Sequence, residues 1–300
     1  MSNDRTQWLA ERRKFIGGSD SAKALGISKW GGPLDVYFDK RGESEPLDDN
    51  PAMYWGRVLE PIVRDEYARR SGQCITYGEG ILRSEAYPFM GANLDGRGAD
   101  GRVVEIKTAR SADGWGEEGS ADIPADYIAQ VMHYMVVTGA QLADVAVLIA
   151  GSDFRVYTIP YDVELAMMLI DAERELWQRI ERGEPPAPTS ASDIAKLYRY
   201  ANGQPIEAPE SILRAYEALR EARQAQKQVE ALTETLESEI KGYMQANDTL
   251  TSAGRVLATW KQRKAAERLD AKRLKSEAPD LYQRFAVAGE PTRTFLLKEV

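Results

Sequence analysis

The stretch that most constrains the fold is residues 91–109, GANLDGRGADGRVVEIKTA. Val103, Val104 and Ile106 give its second half the β-branched character of a strand, and Asp95-Gly96 and Asp100-Gly101 are turn dipeptides that close the stretch into a hairpin. Side chains alternate faces along a strand, so Glu105 and Lys107 share one face while Val104, Ile106 and Thr108 take the other. The apolar face is expected to enter the core. The other face then presents a carboxylate beside an ammonium, with Asp95 arriving from the neighbouring strand. A hairpin needs no such concentration of charge to hold together.

Around this hairpin the apolar period alternates between helix and strand. An amphipathic helix is expected near residues 7–15, and Ser19 or Asp20 can cap a second, short helix that Gly26 ends. A third starts at about Pro33. A fourth spans MYWGRVLEPIVRDEYARRSG, with Val58, Ile62, Val63 and Tyr67 at helical spacing and Gly72 as its stop. After the hairpin come a helix with Ile128, Val131, Met132 and Met135 on one stripe, ended by Gly139, then two strands within LADVAVLIAGSDFRVYTIPY, then a helix over 162–182. That order implies an α/β fold, a mixed central sheet flanked by helices. The proline-rich run RGEPPAPTSAS at 182–192 divides the chain into 1–185 and a helical, partly β C-terminal extension, 186–300. In the extension, a charged helix over about 209–246 carries Val229, Leu232, Leu236, Ile240 and Tyr243 three or four apart, a stripe suited either to a coiled coil or to packing on the core. A hairpin turns at Ala253-Gly254, and TRTFLLKEV reads as a last strand.

Composition narrows the class. A chain of 300 residues, 43% hydrophobic, can bury a real core. Its single cysteine, Cys74, excludes an intramolecular disulfide and a cysteine-held iron–sulfur cluster, which takes about four thiolates. No apolar run approaches the roughly 18 residues of a membrane span, and the N-terminal sequence lacks the apolar core of a secretory signal, so a cytoplasmic location is expected. The net charge of −8 argues against coating nucleic acid by bulk attraction. Residues 255–275, however, hold eight basic against two acidic groups, a local +6 that leaves −14 on the remainder.

Two carboxylates from adjacent strands can share a magnesium ion, which prefers oxygen ligands at about 2.0–2.1 Å and keeps other positions for water and phosphate. The backbone carbonyl of Ile106 can complete such a set. The ion would polarise a phosphate oxygen and lower the pKa of a bound water, while Lys107 orients that water or stabilises charge building on phosphorus. The pattern suits phosphodiester hydrolysis. Taken in order, RRKFIGGSD, WGRVLEPIVRDEY, LDGRGADGRVVEIKT and YIAQVMHYM make roughly residues 8–180 resemble the phage-type exonuclease family that includes the YqaJ-type viral recombinases and lambda exonuclease. These belong to the restriction-endonuclease-like PD-(D/E)xK nuclease superfamily.

The resemblance implies Asp95 and Glu105 as metal ligands with the Ile106 carbonyl, and Lys107 as the catalytic lysine. It implies Glu60 as an acidic group acting near the metal through water or a second ion, and Gln130 as an amide holding the water or the scissile phosphate. Magnesium is the implied cofactor, with manganese able to substitute. Arg12, or its neighbour Arg13, and Ser19 match residues that hold the 5′-phosphate of the digested strand. Asn93 stands where lambda exonuclease has a serine and can still donate to phosphate. The implied activity is 5′ to 3′ digestion of duplex DNA ends, leaving 3′ overhangs for a single-strand annealing protein, by a homo-oligomer in the cytoplasm of a bacterial host cell.

Two other readings share these residues: a structure-specific endonuclease built on the same strands, and a non-enzymatic scaffold whose long helix oligomerises. His133 can approach DNA and Trp30 can stack on bases, but the preferred readings are a packed or solvated histidine and a tryptophan packed in the core. Lys261, Arg263, Lys264 and Arg268 are candidates for contact with duplex or with an acidic partner.

Overall fold

The computed structural model describes residues 8, 10–44, 50–78, 80–287, 289 and 292–298, in two units, Met1–Ile194 and Ala195–Val300. The first runs through β1 (Ile16–Gly17), α1 (Gly18–Ala24), α2 (Pro33–Arg41), α3 (Pro51–Ser71), β2 (Ile75–Thr76), β3 (Leu82–Arg83) and β4 (Met90–Ala92). It continues through β5 (Gly96–Gly98), β6 (Val103–Ala109), α4 (Ala125–Thr138), β7 (Leu142–Ile149), β8 (Asp153–Pro160) and α5 (Val163–Arg182), with α6 (Ala191–Leu197) at the division. The main sheet has the order β2-β5-β6-β7-β8, and a smaller one the order β1-β4-β3. Within the main sheet only β6 and β7 pair in parallel, and α4 is the crossover that such a pair requires. The mixed α/β architecture expected from the element order is therefore the one observed.

Both faces of β6 are covered. Val103 packs with Met132, Met135 and Leu169 from α4 and α5, while Val104 and Ile106 pack with Val63 and Tyr67 from α3. The expected division into one apolar and one open charged face is thus corrected: β6 is a central strand in a helix–sheet–helix sandwich, and Glu105 is only 2% exposed. Asp95-Gly96 does not turn, since Gly96 opens β5; the hairpin reverses at Asp100-Gly101, with Gly101 at φ 87.

Helix ends follow the glycines, with Gly72 closing α3 and Gly139 closing α4 in the left-handed conformation that lacks a Cβ penalty there. Other boundaries move. Residues 8 and 10–12 are helical, but the chain turns at Arg13 and Lys14; residue 7 lies outside the described residues. Ser19 and Asp20 sit inside α1 rather than at its cap, and Asp20 reaches back to accept the Gly17 N–H at 3.0 Å. On α3, Val63 and Tyr67 are buried but Val58 and Ile62 are exposed, because each precedes a buried residue by five, and five steps of about 100° leave the two side chains roughly 140° apart around the helix.

The second unit comprises α7 (Glu210–Met244), β9 (Thr249–Ser252), β10 (Arg255–Thr259), α8 (Ala271–Glu277) and α9 (Pro279–Phe285). β9 and β10 form the expected antiparallel hairpin, turned by Ala253 at φ 47 and Gly254 at φ 77. Residues 292–298 are not the expected strand; residues 299 and 300 lie outside the described residues. Residues 292–298 contact α7 at single side chains: the Tyr216 hydroxyl donates to the Lys298 carbonyl at 2.8 Å, and the Arg223 guanidinium lies 5.9 Å from the Phe295 ring centre. Among the described residues, no helix is long and apolar enough to cross a membrane.

Candidate active site

The site forms where two strands part. β5 pairs with β6 only at Gly96–Val104 and Arg97–Val103, whereas β7 pairs with β6 through Ala109. Beyond Val104, one edge of β6 has lost its neighbour. Asp95, the residue before β5, fills the gap: its Oδ2 accepts the Ile106 N–H at 2.9 Å. The N–H and C=O of a strand residue point to the same edge, so the Ile106 carbonyl opens the same way.

Glu105 Oε1 accepts hydrogen bonds from Lys107 Nζ at 2.5 Å and from Gln130 Nε2 at 2.7 Å. Gln130 projects from α4, and its Nε2 also donates to the Tyr134 hydroxyl at 3.0 Å. Glu105 Oε2 is buried with no partner. Burial first, and the Asp95 charge second, push the Glu105 carboxyl up to about 8. The same two causes raise Glu60. Burial opposes the charge on Lys107, but Glu105 and Asp95 outweigh it and raise the ammonium above its usual range.

A buried acceptor without a partner costs about 1–3 kcal/mol, so the orphaned Oε2 is an observation that a cation would account for. Oε2, the Asp95 carboxylate and the Ile106 carbonyl are all oxygen donors, the set that a hard divalent ion takes. These residues fit magnesium. Among the described residues there is no group of three or more His, Cys, Asp or Glu side chains placed to hold a metal, so the protein would supply two carboxylates and a carbonyl, with Glu60 on the same cleft lining.

A cleft of about 530 Å³ gathers Arg12, Ser19, Glu60, Asn93, Asp95, Glu105, Ile106, Lys107 and Gln130 on one lining. At its other end Arg12 Nη2 donates to Ser19 Oγ at 2.7 Å and lies 3.6 Å from Asp20 Oδ1. Asp20 is buried against Lys40, whose Nζ is 2.6 Å away. Burial alone would raise the Asp20 carboxyl, but Lys40 and Arg12 hold it below the usual carboxylate range. Arg13 reaches toward Gly42 instead, and does not line the cleft.

Sequence reasoning missed Lys40 and Tyr134. Lys40 reads as an ordinary basic residue at a helix end, whereas Tyr134, four residues after Gln130 on one helix face, left a signal that could have been followed. His133 is fully buried, with Nδ1 2.9 Å from Glu173 Oε1 and Nε2 2.9 Å from the Gly91 carbonyl, so it packs and does not reach the cleft. For Trp30 the preferred packing is corrected. It is 72% exposed, in the turn before α2, where the flanking glycines offer nothing to pack against. Lys261, Arg263, Lys264 and Arg268 are exposed in the second unit, in a stretch without helix or strand.

A model of the YqaJ-like viral recombinase domain matches residues 7–141. The Bacillus subtilis (strain 168) protein YqaJ, described as uncharacterized, is 34% identical over 309 aligned positions, covering 99% of this chain and 95% of its own. The chain belongs to the YqaJ-like viral recombinase family. Two solved structures are also similar to the YqaJ-like chain, at lower identity. The alkaline exonuclease LHK-Exo from Laribacter hongkongensis aligns over 64% of this chain and 99% of its own, at 20% identity and a TM-score of 0.47. A phage related exonuclease from Haemophilus somnus 129PT aligns over 56% and 96%, at 12% identity and a TM-score of 0.41.

Proposed function

We propose that this YqaJ-like protein is a magnesium-dependent deoxyribonuclease that digests one strand of duplex DNA from a 5′-phosphorylated end and leaves a 3′ overhang for a single-strand annealing protein. The observation that carries the reading is the convergence, in one cleft, of Asp95, a buried Glu105 with an unpartnered oxygen, and Lys107. Asp95, Glu105 and the Ile106 carbonyl would hold the ion, which when bound supplies Lewis acidity toward a phosphate oxygen and a water of lowered pKa. Manganese, similar in ligand preference, is expected to substitute. Lys107, whose ammonium is favoured by its two carboxylate neighbours, acts as a donor to charge building on phosphorus rather than as a base. Gln130 has committed its Nε2 to Glu105 and Tyr134, so its carbonyl oxygen is what it offers to a water. Arg12 brings a planar fork, beside the Ser19 hydroxyl, that suits a terminal phosphate. Polarity and the annealing partner rest on the family resemblance.

The test uses end-labelled linear duplex and covalently closed duplex, with and without magnesium. Linear duplex alone should be digested, only with the metal, and faster with a 5′-phosphate than with a 5′-hydroxyl; Arg12→Ala should erase much of that difference. Cleavage of closed circles would favour the endonuclease reading. Asp95→Asn and Glu105→Gln should abolish digestion, and Lys107→Ala should slow it about 100- to 1000-fold. Independently of activity, magnesium should raise the unfolding midpoint of the wild type but not of Glu105→Gln, since only a ligand that binds the folded state stabilises it.

A further inference from the structure

A buried lysine stands behind the end of the cleft that Arg12 and Ser19 line. Lys40, in the last turn of α2, has a fully enclosed side chain. Its Nζ lies 2.6 Å from Asp20 Oδ2, donates to the Arg12 carbonyl at 3.2 Å, and sits 6.0 Å from the Phe15 ring centre. Asp39 is 3.7 Å from the same Nζ but is half-exposed, so water screens it. One ammonium thus ties α2 both to α1, through Asp20, and to the helical residues 10–12 that end at Arg12. Stability is a weak reason for such a pair, because apolar side chains of similar volume often serve a core as well as a buried ion pair does.

Charge supplies a stronger reason. A carboxylate beside an arginine that receives phosphate is a competitor, since the planar guanidinium fork fits both anions. Asp20 stays ionised, because Lys40 and Arg12 together outweigh its burial. Its two oxygens are nonetheless engaged unequally. Oδ2 takes the Lys40 ammonium at 2.6 Å and the Gly17 N–H at 3.0 Å, whereas Oδ1 stays 3.6 Å from Arg12 Nη2. Arg12 donates instead to the neutral Ser19 hydroxyl, at 2.7 Å. With Lys40 present, two cations and one carboxylate leave a net positive charge at this end of the cleft; without it, Arg12 and Asp20 would cancel.

We propose that Lys40 is a positioning residue that holds the Asp20 carboxylate away from Arg12, so that the guanidinium remains available to a 5′-terminal phosphate. Lys40 touches no DNA in this role, which rests on the reading of Arg12 as the end-phosphate clamp. Through the Arg12 carbonyl it also fixes the backbone from which that side chain springs.

The test is equilibrium binding of the full-length protein, without metal, to a short duplex bearing either a 5′-phosphate or a 5′-hydroxyl, followed by anisotropy of a dye on the 3′ end. The wild type should prefer the phosphate. Lys40→Met should weaken binding of the phosphorylated duplex by about tenfold, the worth of roughly one charge-assisted hydrogen bond, and that of the hydroxyl duplex far less. Adding Asp20→Asn should recover most of the loss, because the competing charge leaves with the lysine while the asparagine oxygen still accepts the Gly17 N–H. A purely structural lysine predicts the opposite, a double variant at least as impaired as the single one. Should Lys40→Met fail to fold, Lys40→Gln keeps a donor for the Arg12 carbonyl without the charge and should show the same loss. A wild type that discriminates, with Lys40 variants that discriminate equally well or a double variant that is not rescued, would overturn the role of Lys40 alone. Equal binding of both duplexes by the wild type would remove the reading of Arg12, and the role of Lys40 with it.

Discussion

His133 and Glu173 show what burial does to a single side chain. The imidazole is fully buried, yet its two nitrogens face a carboxylate and a carbonyl, and an imidazole carrying two protons can donate to both. Burial opposes that charge, but Glu173, the Gly91 carbonyl and the Asp20 charge outweigh it, so the His133 pKa lies above its ordinary value. A folded pKa above the unfolded one means stability that is fully present below about pH 6.5 and lost as pH rises through the folded value. The unfolding midpoint should therefore fall as pH is raised above that point, and more steeply in the wild type than in His133→Gln; equal slopes would remove the charge from His133. His133→Ala leaves Glu173 buried and unpaired and should cost about 3–5 kcal/mol in urea unfolding. From the sequence, His133 reads as packed or solvated, and its burial, on the same helix as Met132 and Met135, is decided only by the structure. Its partner was not legible, because Glu173 lies on a different helix and nothing local points to it. Asp95, Glu105 and Lys107 were legible as a group because strand alternation and one turn bring them together; their depth depends on helices far off in the chain.

At the level of elements, α1 and α4 approach so closely that a Cβ on Gly18 would overlap the Tyr134 ring. Tyr134 cannot swing aside easily, being buried and hydrogen-bonded to Gln130. Alanine is favoured over glycine inside a helix by about 1 kcal/mol, but overpacking a rigid contact costs about 1–3 kcal/mol, so Gly18→Ala should be net destabilising in denaturant unfolding. A stabilised variant would show that the helices have room. Helices ending at glycine and hairpins turning at Asp-Gly or Ala-Gly were legible, since both signals are local. The run at residues 292–298 was misread because β-branched and aromatic content is the same whether a segment pairs with a strand or lies along a helix. α8 and α9, at seven residues each, are too short for periodicity to register.

Across the whole molecule, charge is segregated: the exposed residues Lys261, Arg263, Lys264 and Arg268 belong to a basic stretch in an otherwise acidic chain. If that stretch tracks duplex phosphates, replacing all four with glutamine should weaken DNA binding and lower its logarithmic salt slope by about 0.9 per lost contact. Turnover on saturating short duplex should stay the same. An unchanged slope would assign the stretch to a protein partner instead. Which surfaces are covered in an assembly is what one sequence conveys least, because exposed apolar stripes and exposed basic runs look alike whatever meets them. The parting of β5 from β6 has a consequence in time as well as in space. The amides of Glu105 and Lys107 face β7 within an uninterrupted ladder, so they should exchange with deuterium only when the sheet itself opens. The Ile106 amide is guarded by the Asp95 side chain alone and should exchange with every excursion of the short link between β4 and β5. One carboxylate thus stands on the slowest clock in the domain and the other on a faster one, and the rate at Ile106 reports how often the pair is apart.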